Sequence, residues 1–388
     1  MISGRSTNCA IRTSLISSEA AATLQERSAL ALTLRDLDPL LAAEGVTELC
    51  INRPGEAFVE SARGWEQVPL AFAGYEWCLR LCKLVANATA QRIDEQSPLL
   101  SASLPGGERI QVAMPPATLA HTVSITIRKP APGTWSLEEL AQKGIFARTQ
   151  HAGRGVEPCQ QQLVSLLEQG DYVGFMRTAV ITRQNILVSG PTGSGKTTWT
   201  KALIREIPSH ERLISIEDAH ELVLDRHANH VRLFYSKGGQ GRSRVTPKQL
   251  LEACLRMKPD RILLAELRAE EAFDYLRNVN SGHPGSITSI HAASADLAFE
   301  QLVLLVKQNE AGREMSRADI RQLLGALVDV VIQFGVEGPI RYIKEIWYGP
   351  ARATVMHPVH DQVAVGDQTS ALCGGDKAGQ MGPTGGFP

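Results

Sequence analysis

The sequence predicts an α/β chain, with a mostly parallel sheet wrapped by helices at residues 161–349 behind a smaller α+β domain at residues 29–130. Three observations carry this. The apolar run Asn185-Ile186-Leu187-Val188-Ser189 leads into Gly190-Pro191-Thr192-Gly193-Ser194-Gly195-Lys196-Thr197-Thr198, then into a helical pattern from Thr197 to Glu206. That strand, loop and helix order is what a phosphate-cradling loop requires. Beyond it, short β-rich runs alternate with helical patterns as far as Trp347, the rhythm of a parallel sheet with crossover helices. Before it, from Leu32 to Arg128, strands and helices follow one another without that alternation.

Taken in order, residues 1–28 are rich in Ser, Thr and Ala and read as a flexible arm or loose first helix. Apolar residues at helical spacing from Leu32 to Leu41 predict a helix that Gly45 ends. Val46–Asn52 alternates like a strand, Arg53-Pro54-Gly55-Glu56 is a turn, Ala57–Glu60 is a second strand, and a further turn falls at Gly64. A helix follows over Tyr75–Thr89, then strands Arg109–Ala113 and Thr122–Arg128 around the Pro115-Pro116 break. Residues 131–160 read as a linker, opened by Pro130–Trp135 and holding a short helix begun by the capping box Ser136-Leu137-Glu138-Glu139. Glu157–Gln169 and Tyr172–Thr182 are two helices leading to the strand at Asn185.

Past the loop the predicted strands are Leu213–Glu217, Val231–Tyr235, Arg261–Ala265 and Ser286–Ile290. The intervening helices are Thr246–Met257, with an N-cap threonine and first-turn proline, Ala269–Asn280 and Ser294–Gln308. Val328–Phe334 and Arg341–Trp347 close as a strand pair. Residues 350–388 lose apolar periodicity, turn Gly-rich and read as a disordered tail.

The chemistry begins at Gly190–Thr198. Its glycines let the backbone curl until its N–H groups converge on phosphate oxygens at a helix N-terminus. Lys196 is placed to reach the β- and γ-phosphates, the Thr197 hydroxyl to bind Mg²⁺, and Thr198 to meet the α-phosphate. Gly190, Pro191, Thr192, Gly193, Ser194 and Gly195 make the cradle, so a nucleoside triphosphate is the expected ligand. Arg261-Ile262-Leu263-Leu264-Ala265 is an apolar strand ending in Glu266. As a parallel neighbour of the phosphate strand it would carry that carboxylate to the crevice where the phosphates lie. There Glu266 could polarise water or hold the metal's water shell, against the plainer reading of a solvated strand-end carboxylate.

Glu217, Asp218 and Glu221 crowd the end of another strand. Like charges so close need a cation or an arginine among them: either a Mg²⁺-bound water shell or a salt-bridged structural cluster. His283 and His291 flank one strand, where they could sense a γ-phosphate by hydrogen bonding or serve the fold. For Arg109 and Arg128, spacing alone favours surface ion pairing, although an arginine from another domain or subunit can stabilise transferring phosphate. The basic loop Lys237–Arg244 fits a polyanion contact, a pore lining or a solvated hairpin.

A formal net charge of -1 supplies no field to draw nucleic acid or acidic lipid, and disfavours direct nucleic-acid binding. The seven cysteines (Cys9, Cys50, Cys78, Cys82, Cys159, Cys254 and Cys373) are odd in number and scattered, which suits free thiols in a reducing compartment. No signal peptide is evident. The longest apolar run, Ala326–Phe334, is interrupted by Asp329 and too short for a membrane span.

Four motifs in order then resemble those of the secretion-ATPase superfamily: the phosphate loop, the acidic box Ile216–Glu221, the strand end Ala265-Glu266-Leu267-Arg268, and the His box Gly282–His291. Ile51-Asn52-Arg53-Pro54-Gly55-Glu56, Gly64-Trp65, Leu104–Arg109 and Ser124–Pro130 narrow the resemblance to the hexameric traffic ATPases of bacterial type IV secretion and conjugation. It spans Leu32 to Trp347. It implies a RecA-like P-loop NTPase domain, ATP with Mg²⁺, and a homohexameric ring with nucleotide between the two domains. It also implies arginines at 109 and 128 that approach the triphosphate. The implied setting is peripheral, on the cytoplasmic face of the inner membrane, beside the system's other ATPases and channel. Ala265 stands where the family usually has glycine, and Trp199 behind the loop suits packing better than nucleotide contact. A pilus or type II secretion motor of the same superfamily shares the chemistry, but the tetracysteine zinc element typical of type II assembly ATPases is absent. A helicase-like motor would need a basic track, and a regulator without turnover would not need Glu266.

Overall fold

A computed structural model describes residues 28–131, 133–149, 158–236 and 241–351. The expected arm (1–28) apart from its last residue, the expected tail (350–388) apart from its first two, and the first half of the basic loop (237–240) lie outside them. The elements are α1 (Ala29–Leu34), α2 (Asp38–Leu41), β1 (Glu48–Ile51), β2 (Glu56–Ser61), β3 (Gly64–Pro69), α3 (Tyr75–Ala88), β4 (Leu99–Ser103), β5 (Arg109–Ala113) and β6 (Ser124–Arg128). Next come α4 (Leu137–Gln142), α5 (Pro158–Glu168), α6 (Tyr172–Ile181), β7 (Ile186–Ser189), α7 (Lys196–Ile204), β8 (Leu213–Glu217), β9 (His230–Phe234), α8 (Pro247–Cys254) and β10 (Arg261–Leu264). The rest are α9 (Glu271–Asn280), β11 (Ile287–Ile290), α10 (Ala295–Val306), α11 (Glu310–Arg313), α12 (Arg317–Leu327), β12 (Val330–Glu337) and β13 (Ile340–Tyr348).

Strands β3-β2-β1-β6-β5-β4 form an antiparallel sheet. Helix α3 buries Trp77, Cys78, Leu81, Cys82 and Val85 in the core it shares with Leu49, Val112, Ile125 and Ile127. The single helix expected over Leu32–Leu41 is instead two, joined by a 3₁₀ turn at Arg35–Leu37; Pro39, near the start of α2, has no N–H to continue a ladder. Strands β3 and β4 carry little sequence signal because neither is a run of β-branched residues: Gly64–Pro69 is largely exposed and three of the five residues of Leu99–Ser103 are serine or alanine.

The parallel strands are laid out as β10-β8-β9 and β11-β7-β12, with β13 antiparallel on the far edge. Between β10 and β11 two serine hydroxyls and one backbone N–H do the joining. Ser286 Oγ donates to Ile262 O at 2.6 Å, Ser289 Oγ to Ala265 O at 2.9 Å, and Leu267 N to Ser289 O at 2.9 Å. The Arg261 strand is therefore not a neighbour of the phosphate strand, as its sequence suggested; β11 lies between them.

The N-terminal domain packs along the β9 side of this sheet. Arg212, wholly buried, donates through Nε to Met257 O at 2.9 Å and through Nη1 to Asn52 Oδ1 at 2.6 Å and Asn229 Oδ1. Arg53 Nη2 donates to Ala228 O at 2.8 Å, so the Ile51–Glu56 stretch secures the domain contact. Phe234 N donates to Ala117 O at 2.9 Å, and Arg242 pairs with Glu95 at 3.1 Å. The described half of the basic loop thus pairs with the first domain.

Glu60, Glu48, Arg128 and Arg109 stand in direct register across β2, β1, β6 and β5. Glu48 is 2% exposed, its Oε2 has no hydrogen-bond partner, and Arg128 Nε lies 3.3 Å from Oε1. Burial, only partly opposed by Arg128, lifts its carboxyl from the usual 4.5 to about 7. The folded state therefore holds this proton more tightly than the unfolded chain, so stability is lost as pH rises from about 4.5 through about 7. Glu48→Gln should be more stable than the parent by about 3 kcal/mol at pH 8, with the gap closing below pH 5, as read from urea midpoints at the two pH values.

Candidate functional site

The phosphate loop begins where β7 ends. Gly193 and Gly195 take left-handed φ of 74° and 98°, and Gly195 sits at the N-cap of α7 with no side chain bonding the helix's first N–H groups. The Ser194 hydroxyl is buried without a partner, while Thr197 and Thr198 stand exposed on the first turn. An uncapped helix N-terminus ringed by glycine backbone suits an anion, so this cradle fits a polyphosphate, with Thr197 free to offer its hydroxyl to a cation. Trp199 packs edge-on against Phe334, 6.1 Å between centroids, and belongs to the core.

Lys196 turns back over the loop. Its Nζ donates to Gly190 O at 2.8 Å and Pro191 O at 3.0 Å, and lies 3.2 Å from His291 Nδ1. Burial lowers the ammonium's pKa, with the charge of Glu266 opposing. With Lys196 donating, Nδ1 is the acceptor and the imidazole proton sits on Nε2, which faces Glu266 Oε1 at 2.9 Å. The approach is off the line of a hydrogen bond, leaving that buried oxygen an open acceptor. Glu266 Oε2 accepts from Arg268 Nη2 at 2.5 Å, and Arg268 Nη1 donates to Asp218 Oδ2. Lys196, His291, Glu266, Arg268 and Asp218 thus form one continuous polar chain, with at least one member from each of the four sequence motifs.

Other expected members are elsewhere. Glu217 is wholly buried. Its Oε1 accepts from Ser215 Oγ at 2.6 Å and Arg232 Nε at 2.9 Å; its Oε2 accepts from Arg232 Nη2 at 2.7 Å, Leu222 N at 2.8 Å and Glu221 N at 3.0 Å. Five hydrogen bonds saturate this carboxylate, which fits the salt-bridged structural cluster better than a Mg²⁺ site. Glu221 adds its backbone to that cluster. His283 precedes β11 and hydrogen-bonds the backbone of Pro259, on the side where β10 begins, whereas the phosphate loop lies where β7 and β11 end. The two histidines cannot meet one phosphate in this chain, because β11 runs its full length between them.

Arg109 and Arg128 line a cavity of about 430 Å³ with Ser101, Ser103, Leu255 and Arg256. This lies where α8 leads toward β10, again the edge away from the phosphate loop. The structure brings the two together but not to Lys196. Sequence reasoning missed three arginines: Arg232, paired with Glu217; Arg268, inside a recognised motif but given no role; and Arg341, whose Nε donates to Gly193 O at 2.7 Å. Arg341 carried no local signal, since only the β12–β13 pairing brings it over the loop.

Gly190 packs so closely that an added Cβ would stand 2.7 Å from Phe334 Cβ and 2.9 Å from Ser194 Oγ. The first contact is to an atom fixed by the β12 backbone. Gly190→Ala should therefore weaken nucleotide binding at least 10-fold in a fluorescent-analogue titration, and Gly193→Ala, with open space around it, should strain only the backbone.

The family model for type II/IV secretion system proteins matches residues 34–334. Over 336 residues the chain is 44% identical to the type IV secretion system protein VirB11 of Bartonella quintana (strain Toulouse), covering 83% of this chain and 94% of that one. With VirB11 of Brucella suis biovar 1 the identity is 46% over 334 residues, covering 85% and 92%. The crystal structure of the VirB11 ATPase from the Brucella suis type IV secretion system, in complex with sulphate, superposes with a TM-score of 0.79 at 46% identity, covering 84% of this chain and 100% of that one. With the four motifs in order on a shared fold and sequence likeness along most of its length, the chain belongs to the type II/IV secretion system protein family.

Proposed function

We propose that this chain is the ATP-hydrolysing traffic ATPase of a type IV secretion system. The polar chain from Lys196 through His291 and Glu266 to Arg268 and Asp218 carries the reading, because it ties a phosphate-loop lysine to a carboxylate with one open acceptor. ATP enters the cradle of Gly190–Thr198, drawing Lys196 onto its β- and γ-phosphates. Glu266 then accepts a proton from the attacking water through its open oxygen. Mg²⁺ would be held by the Thr197 hydroxyl and would supply charge neutralisation to the triphosphate, with Asp218, paired with Arg268, the acidic-box carboxylate in the polar chain.

On this reading the chain works as a homohexameric ring that couples hydrolysis to domain closure and passes the motion to the secretion channel alongside the system's other ATPases. ATP must then bind the closed state better than the open one. Among the described residues no helix is long and apolar enough to cross a membrane, which is compatible with peripheral docking at the cytoplasmic face of the inner membrane. Arg109 and Arg128 lie away from their own chain's loop, so we assign them to a triphosphate held elsewhere in the ring.

Glu266→Gln should bind ATP within about twofold of the parent while losing turnover about 100-fold or more; undiminished hydrolysis would remove Glu266 from this role. Solution mass with and without a non-hydrolysable ATP analogue should show a hexamer tightened by nucleotide, and a strict monomer under both conditions would sink the ring.

A further inference from the structure

Around Glu266 the backbone is pinned from both sides. Ala265 N donates to Ile216 O at 3.0 Å, Ala265 O accepts from Ser289 Oγ, and Leu267 N donates to Ser289 O. Two residues further on, the buried carboxylate of Glu271 accepts from Arg268 N at 2.7 Å and Ala269 N at 2.9 Å. The main chain is therefore fixed from Ala265 to Ala269, and the remaining freedom at Glu266 is that of its side chain. A glutamate in water loses more than 1 kcal/mol of rotamer freedom when held still, so something must hold it if one oxygen is to meet water in a repeatable place.

We propose that Arg268 is the positioning residue for Glu266: its guanidinium grips Oε2 and presents Oε1 to the phosphate loop. The inference rests on the assignment of Glu266 as the water-activating group. The planar fork of Arg268 spans two carboxylates, Glu266 through Nη2 and Asp218 through Nη1, and a fork so held fixes direction as well as charge. Asp218 thereby acts at one remove, anchoring the arginine. The other groups facing Glu266 do not compete for Oε2: His291 approaches Oε1, and Lys196 bonds the loop carbonyls. Tyr235, after β9, feels the charges of Asp218, Glu271, Arg268 and Glu266 but makes no bond to the pair. Arg268 is one-third exposed, so its replacement opens no hole in the core.

The test is a set of full-length variants assayed for steady-state ATP hydrolysis and, separately, for equilibrium binding of a non-hydrolysable ATP analogue. For Arg268→Ala and Arg268→Gln, kcat should fall about 10- to 100-fold, the loss of one charged hydrogen bond in the transition state, while the analogue's Kd stays within about twofold. Arg268→Lys should recover part of that loss, because an ammonium can reach Oε2 but cannot span to Asp218. On a Glu266→Gln background, Arg268→Ala should add no further loss. Unchanged binding certifies that each variant is folded. An unchanged kcat in both variants overturns the inference, and so does a raised kcat, which would mean that Arg268 masks Glu266. A Glu266→Gln enzyme that turns over normally would refute the parent assignment instead, an outcome distinguishable because it appears without touching Arg268.

Discussion

The site depends on how β10 and β11 are joined. These strands share no full backbone ladder; two serine hydroxyls and one N–H bridge them. Ser286 ties the beginning of β11 to Ile262, and Ser289 ties its end to the residue just before Glu266. Because β11 itself pairs in register with β7, from Ile287 against Ile186 to Ile290 against Ser189, this seam sets the spacing between the phosphate loop and Glu266. One strand's width is left between them, and His291, the first residue past β11, occupies it. Direct neighbours would have left no room for an imidazole there. The buried serines also satisfy carbonyls that an incomplete ladder would leave bare.

The same sheet sets what the N-terminal domain can do. Arg212, just before β8, is buried against Asn52 and Asn229, with Trp65 5.7 Å from its guanidinium. A buried arginine with neutral partners is expensive to leave half-bonded, which favours keeping this contact intact as a hinge or a fixed joint. It places the charged row of β1, β5 and β6 beside Leu255, Arg256 and Lys258, and Lys258 pairs with Glu60 at 2.7 Å. Arg109, Arg128 and Arg256 then share one cavity with few opposing carboxylates. Such a concentration of positive charge favours an anion there.

Much of this was legible in the sequence, unevenly. The phosphate loop could be read outright, because its function depends on backbone conformation at glycines fixed in sequence relative to one another. The capping box at Ser136 and the N-cap at Thr246 were equally local, and both are formed. The strand order was not legible: nothing in Arg261–Glu266 records that β11 intervenes. The acidic box shows the limit most clearly. Glu217 and Asp218 are adjacent and chemically alike, yet one faces Arg232 inside the sheet and the other faces Arg268 at its rim. Alternation along a strand separates them by face, and which face looked toward the phosphates could not be known before β9 and its arginine were placed. His283 lies at the other end of β11 for a related reason. Being near a strand end says little unless it is the end from which the loops carrying chemistry emerge.

The contacts of Lys196 give the polar chain a direction. The ammonium has three donors, and in this structure they meet two loop carbonyls and one imidazole nitrogen. A triphosphate that takes this lysine must displace at least some of them, and the imidazole contact is the only one that leads onward. Once Lys196 turns away, His291 Nδ1 loses its donor and the imidazole is free to reorient. Its Nε2 lies 2.9 Å from Oε1 of Glu266, while Arg268 holds Oε2. Any such change would reach one oxygen of the carboxylate without moving its backbone, which the Ala265 N to Ile216 O and Leu267 N to Ser289 O bonds hold.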